Sequence, residues 1–153
     1  MHERSMGEIV RDQRPLAMGP ETTVAASCAA MHKRRVGAVL VVEDTDRLVG
    51  IFTGRDAVRC LAEGLDAKHT KLRQVMTANP ITLTPEQHAM DALRLLGDGG
   101  FRHLPICRPD GRVCGIVSRY DFRAKEHARM DEETGFFEKR PLVMQIGKRR
   151  GRA

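Results

Sequence analysis

A chain of 153 residues with 41% hydrophobic content is about one ordinary domain long and apolar enough to bury a core. Its longest apolar run, Val36 to Val42 with Gly37 inside it, falls far short of the roughly 20 residues that a membrane span needs, and the charged N-terminus (Glu3, Arg4, Glu8) does not read as a secretory signal, so a cytoplasmic location is expected. The formal charge is +6, but Lys148, Arg149, Arg150 and Arg152 supply four of those charges, which leaves the rest close to balance and makes bulk basicity a weak argument for nucleic-acid binding.

Sliding the chain against itself by 65 positions aligns residues 10–60 with 75–125 without a gap. Eight positions are identical: Val10/Val75, Pro15/Pro80, Pro20/Pro85, Glu21/Glu86, Arg47/Arg112, Gly50/Gly115, Ile51/Ile116 and Asp56/Asp121. In chain order, each copy begins with a short extended stretch after a proline, Leu16-Ala17-Met18 and Ile81-Thr82-Leu83, where proline disfavours helix. A Pro-Glu start then introduces a helix whose apolar residues recur at i, i+4, i+7: Val24, Cys28, Met31 and Ala89, Leu93, Leu96. Two strands follow, residues 39–42 with 48–52 and residues 104–107 with 113–117, each pair joined by a polar turn. Asp110-Gly111 is a strong two-residue hairpin signal and sets Cys107 opposite Cys114; Thr45-Asp46 is its weaker counterpart. Asp56 and Asp121 precede runs of helix formers and are expected to cap a second helix.

The unit reads β-α-β-β-α, and the fold class is α+β, built from two tandem copies. About 60 residues alone would bury only about 60% of their unfolded surface, so the two copies should share one core. The expected organisation is a first repeat at 5–65, a linker at 66–73, a second repeat at 74–128 and a C-terminal extension at 129–153. In that extension Phe136, Phe137 and residues 141–144 offer packing surface for the module or a partner subunit, ahead of a basic tail read as disordered.

The four cysteines show no CxxC spacing and no histidine cluster, so no metal site or disulfide framework is expected. No nucleophile–base–orienter set appears, and Gly97-Asp98-Gly99-Gly100 lacks the Lys-Ser/Thr of a P-loop, so the chain does not read as an enzyme. Gly50 and Gly115 read as backbone requirements for close approach of chain or ligand.

The hairpin exits Gly50-Ile51-Phe52-Thr53-Gly54-Arg55-Asp56 and Gly115-Ile116-Val117-Ser118-Arg119-Tyr120-Asp121 follow the pattern Gly-apolar-apolar-Ser/Thr-x-x-Asp. With Val75-Met76-Thr77-Ala78-Asn79-Pro80 and Arg102-His103-Leu104-Pro105-Ile106, they make residues 5–128 resemble a CBS-domain pair (Bateman module). The resemblance implies packing about a pseudo-two-fold axis through the sheets, leaving two clefts that bind adenine nucleotides in many members. Carried over by position, one cleft would use Ser118, Tyr120 and Asp121 for sugar and phosphate, Ile116, Leu16 and Val36 around the base, and Arg102 and His103 at the phosphates. The other would use Thr53, Arg55 and Asp56, with Ile51, Ile81 and Phe101 around the base. Its equivalents of Arg102 and His103 are Gly37 and Ala38, so the Asp121 cleft is expected to be the better phosphate binder.

These residue types suit that task. A carboxylate accepts hydrogen bonds from ribose hydroxyls, a helix N-terminus offers amides to phosphate, and apolar walls hold a base. The function that the resemblance implies is regulatory sensing of AMP, ADP, ATP or an S-adenosyl compound, with no cofactor required, by a homodimer that controls an unidentified protein. Alternatives stay open: an interaction or structural module with empty clefts, and weak nucleic-acid binding through the basic tail. Asp56 and Asp121 also fit plain helix caps, and His103 also fits a partly exposed strand residue.

Overall fold

The computed structural model describes residues 2–98 and 100–134. Two compact units divide the chain after Asp121. The first contains α1 (Met6–Val10), β1 (Ala17–Met18), α2 (Val24–Arg34), β2 (Ala38–Glu43), β3 (Arg47–Thr53), α3 (Gly54–Ala62), α4 (Leu72–Val75), β4 (Thr77–Ala78), α5 (Ala89–Asp98), β5 (His103–Cys107), β6 (Val113–Ser118) and a 3-10 turn (Arg119–Asp121). Described in the second are α6 (Ala124–Thr134) and, leading into it, Phe122, which sets its ring edge-on to His127. Phe136, Phe137, residues 141–144 and the basic tail lie outside the described residues.

Local chemistry sets where the elements begin. The Pro20-Glu21 pair does not open α2. Thr23 does, its hydroxyl accepting the Ala26 N–H, and Arg35 ends the helix in the left-handed region at φ 55°. Val24 and Met31 are buried as the helical spacing predicts, and the small Ser27 joins them, bonding back to the Thr23 carbonyl. In β2 the run Val39-Leu40-Val41 is wholly buried because both faces of the strand are covered. Val39 and Val41 pack with Val24, Met31, Phe52 and Leu72. Leu40 packs from the other face with Ala38 and Ile51, against Val113 and Ile116 of the second repeat. The layer shared by the repeats is therefore sheet against sheet.

Strands β1–β4 form one sheet in sequence order, and β5–β6 a second. Both hairpins carry a bulge at the same repeat position, between Val41 and Val42 and between Ile106 and Cys107. The bulge corrects the expected cysteine pairing: Cys107 faces Val113, and Cys114 is the extra residue. The connection is longer than two residues, because the Arg108 N–H donates to the Arg112 carbonyl around Pro109, Asp110 and Gly111, with the Gly111 N–H donating to the Arg108 carbonyl inside it and Gly111 at φ 88°. In the first hairpin Asp44, Thr45 and Asp46 all take positive φ.

A two-fold relation between the repeats is written into reciprocal backbone bonds. The Leu48 N–H donates to Gly111 O at 3.0 Å, and the Val113 N–H donates to Asp46 O at 3.0 Å; each bond becomes the other when 65 is added or subtracted. Arg47 and Arg112, equivalent residues, bridge each other between them.

The short helices are exchanged between repeats. In α1, the Met6 and Gly7 N–H groups bond the Gln87 and Pro85 carbonyls of the second repeat, and Arg4 O accepts the Ala89 N–H that opens α5. In α4, the Leu72 and Arg73 N–H groups bond Thr22 and Pro20 of the first repeat, and Thr70 O accepts the Val24 N–H that opens α2. Leu72, in the segment expected to be a linker, is fully buried in the first repeat's core.

Cys28, Cys60, Cys107 and Cys114 are free thiols. Burial raises Cys28 and Cys60 above their ordinary value and pushes Cys107 to about 11, which disfavours the nucleophilic thiolate at all three. Among the described residues no group of three or more His, Cys, Asp or Glu side chains could hold a metal ion, and no helix is long and apolar enough to cross a membrane.

Candidate functional site

Two clefts flank the sheet interface. The first, of about 460 Å³, gathers Ile51, Thr53, Arg55, Asp56, Ile81 and Phe101, all six residues expected together there. Thr53 ends β3 and is itself the cap of α3. Asp56 is not the capping residue but its reciprocal partner, third in the helix: its Oδ2 accepts the Thr53 N–H at 2.9 Å and the Thr53 hydroxyl at 3.0 Å, while its own N–H donates to Thr53 Oγ1 at 3.3 Å. The α3 N-terminus is tied to the start of β2 by the Gly54 N–H, which donates to Gly37 O at 2.9 Å and continues the β2–β3 pairing past Ala38 and Thr53.

The second cleft, of about 590 Å³, gathers Leu16, Val36, Ile116, Ser118, Tyr120, Asp121 and His103. Asp121 Oδ2 accepts the Ser118 N–H at 2.7 Å and its hydroxyl at 3.4 Å, repeating the Thr53–Asp56 arrangement. Asp121 closes a 3-10 turn rather than capping a helix, since α6 starts three residues later at Ala124. Tyr120 is 88% exposed and stands at the rim.

Arg102 departs from expectation. It lines the Asp56 cleft and not the Asp121 cleft, so no Arg102–His103 pair faces one phosphate site. The reason is connectivity: each cleft combines the Asp end of one repeat with the strand start of the other, so Arg102 travels with its neighbour Phe101. His103 lines both clefts. Burial holds its pKa below the ordinary value, Asp121 opposing that and Arg102 reinforcing it.

The family model for the CBS domain matches residues 6–63 and 72–127. The chain belongs to the CBS-domain family. Over 116 residues it is 42% identical to the CBS domain-containing protein CBSCBSPB2 of Arabidopsis thaliana, an alignment that covers 75% of this chain and 21% of the plant protein. The chain thus spans about a fifth of that relative's length. Its structure is similar to that of a CBS domain protein from Pyrobaculum aerophilum complexed with AMP, with a TM-score of 0.76 and 20% identity, covering 84% of this chain and 98% of that one. It is also similar to the CBS domain pair of protein MJ0100 in complex with 5′-methylthioadenosine and S-adenosyl-L-methionine, at TM-score 0.70 and 20% identity over 78% and 93% of the two chains. At that identity the likeness carries the fold.

The two CBS repeats present unequal clefts, and several lining residues escaped sequence reasoning. Arg14, Arg34 and Arg35 line the Asp121 cleft, and the Arg34 guanidinium donates to the Arg14 carbonyl. The Lys33-Arg34-Arg35 run at the end of α2 was the available signal. Gln13 lines the same cleft and substitutes for a strand: its Nε2 donates to Ile116 O at 2.8 Å and its Oε1 accepts the Ile116 N–H at 2.9 Å. In the first CBS repeat the equivalent Ile51 pairs instead with the backbone of Thr77 in β4.

Proposed function

We propose that this CBS pair is a regulatory sensor, not a catalyst, that takes an adenosine-containing ligand such as AMP, ADP, ATP or an S-adenosyl compound in its clefts. The carrying observation is the repeated Thr53–Asp56 and Ser118–Asp121 arrangement, in which one carboxylate oxygen is held by the backbone and hydroxyl of its own turn. A carboxylate oriented in that way keeps acceptor capacity for a vicinal diol such as ribose. Ile51, Ile81 and Phe101 on one side, and Leu16, Val36 and Ile116 on the other, suit the faces of a base. Arginines stand in both clefts for phosphate: Arg55 and Arg102 in one, Arg14, Arg34 and Arg35 in the other.

The ligands of the Pyrobaculum protein and of MJ0100 support the same ligand class. As part of this proposal the module works in the cytoplasm as a homodimer acting on another protein. Val58 and Leu61 of α3, 66% and 82% exposed, offer apolar surface for the second copy.

The test is a thermal-shift screen of AMP, ADP, ATP and S-adenosylmethionine against the wild type, Asp121→Ala and Asp56→Ala. A ligand at about 100 times its Kd adds about 2.7 kcal/mol of stability. Stabilisation that each substitution halves or abolishes is the expected result. No shift with any of them refutes adenosine-ligand sensing and leaves a protein-interaction module.

A further inference from the structure

Among the described residues, only Gly37 and His103 line both clefts. A Cβ at position 37 would lie 3.4 Å from His103 Nε2 and 3.5 Å from Cε1, so the glycine leaves that edge of the imidazole uncovered. The other ring nitrogen, Nδ1, is buried without a hydrogen-bond partner. No protein hydrogen bond fixes Nδ1, a costly state for a buried polar atom, and the Nε2 edge beside Gly37 is the part of the ring that a ligand in either cleft can reach. His103 also pairs across the hairpin with Ser118, the hydroxyl residue of the Asp121 cleft, while Gly37 O holds the helix that carries Asp56.

We propose that His103 couples the two clefts: one imidazole serves as the phosphate-facing cation for one anionic ligand at a time, so that a phosphate in either cleft weakens phosphate binding in the other. This rests on the adenosine-ligand reading and extends it to how the two sites regulate each other. Asp121 and Arg102 act on the ring directly, and the other charged residues lining the clefts with it are Arg55 and Asp56 in the first and Arg14, Arg34 and Arg35 in the second. Burial favours the neutral form of the unliganded ring. An arriving phosphate favours the imidazolium, and the ring takes up a proton from solvent. The phosphate brings more than one negative charge and the ring gains one positive charge, so the second cleft then faces a net negative neighbour. An uncharged adenosine escapes that repulsion.

The experiment is calorimetric titration of the wild type, His103→Gln and Gly37→Ala with AMP and with adenosine, in two buffers of different ionisation enthalpy. The wild type should bind AMP in two steps separated by about tenfold or more in Kd, within the usual range of site coupling, with proton uptake in the first step. Adenosine should enter the AMP-loaded protein as readily as the free protein. His103→Gln should lose the proton uptake and narrow the separation. Gly37→Ala, which keeps the imidazole but sets a methyl group against it, should reduce the uptake as well. Two equal, independent AMP sites, or coupling and uptake that persist in His103→Gln, overturn the coupling while leaving adenosine-ligand sensing intact. No binding of AMP or adenosine to the wild type overturns both.

Discussion

The glycines of the repeated motif answer a question that a single sequence leaves open: whether chain or ligand makes the close approach. Here it is chain. A Cβ on Gly115 would lie 2.5 Å from Val10 Cβ and 2.8 Å from Gln13 Oε1, whereas one on Gly50 would overlap the sulfur of Met76 and come 3.0 Å from Thr77 O. Val10 is branched next to its backbone and has no room to turn away, while the Met76 thioether is the flexible end of an unbranched chain. Gly115→Ala should therefore destabilise by about 1–3 kcal/mol, the usual cost of overpacking, and Gly50→Ala by clearly less. Urea-denaturation midpoints of the two variants check the order, and equal losses would show that the Thr77 carbonyl dominates at Gly50. The motif carboxylates were legible as residue types. Their partners were not: Asp56 and Asp121 turn back onto Thr53 and Ser118 rather than capping helices outright.

Elements show where repeat symmetry holds and where it gives way. Helical spacing located α2 and α5, and short apolar runs joined by polar turns located the hairpins, because those signals need only neighbours a few residues away. The bulges did not show, since a bulge depends on which residue faces which across the hairpin. The largest local departure is beside β6, where the Gln13 amide makes both of the backbone hydrogen bonds that a paired strand would make to Ile116. Gln13→Ala leaves a partly buried N–H and C=O unpaired and should cost about 1–3 kcal/mol. It should weaken ligand binding in the Asp121 cleft, which Gln13 lines, and leave the Asp56 cleft unchanged. Denaturation together with titration of the Asp56→Ala and Gln13→Ala variants separates the two effects. A stability loss without any change in the Asp121 cleft would make Gln13 a fold residue alone.

At the scale of the first unit, the repeats are not independent domains laid end to end. Each gives the other its opening helix: Met6 and Leu72, both fully buried, begin α1 and α4, and their N–H groups bond carbonyls of the opposite repeat. The sheets meet through Ala38, Leu40, Ile51, Val113 and Ile116. Fragments 1–65 and 66–153 should accordingly lack cooperative unfolding when produced separately, because each loses the other's helix and sheet cover, and should regain it when mixed. Thermal melts followed by circular dichroism check this. A cooperative transition in either fragment alone would show that the exchanged helices are dispensable.

The sequence by itself determined the 65-residue repeat, the α+β class and its β-α-β-β-α unit, and the two Gly-to-Asp hairpin exits, because hydrophobic period, turn residues and self-similarity are properties of residues close along the chain. Tertiary structure alone decided that α1 and α4 change places, that Arg102 faces the Asp56 cleft, that Arg14, Arg34 and Arg35 line the other, and that His103 stands between the two. Those facts depend on which surfaces two similar repeats turn towards each other, and residues tens of positions apart meet only once the sheets have packed.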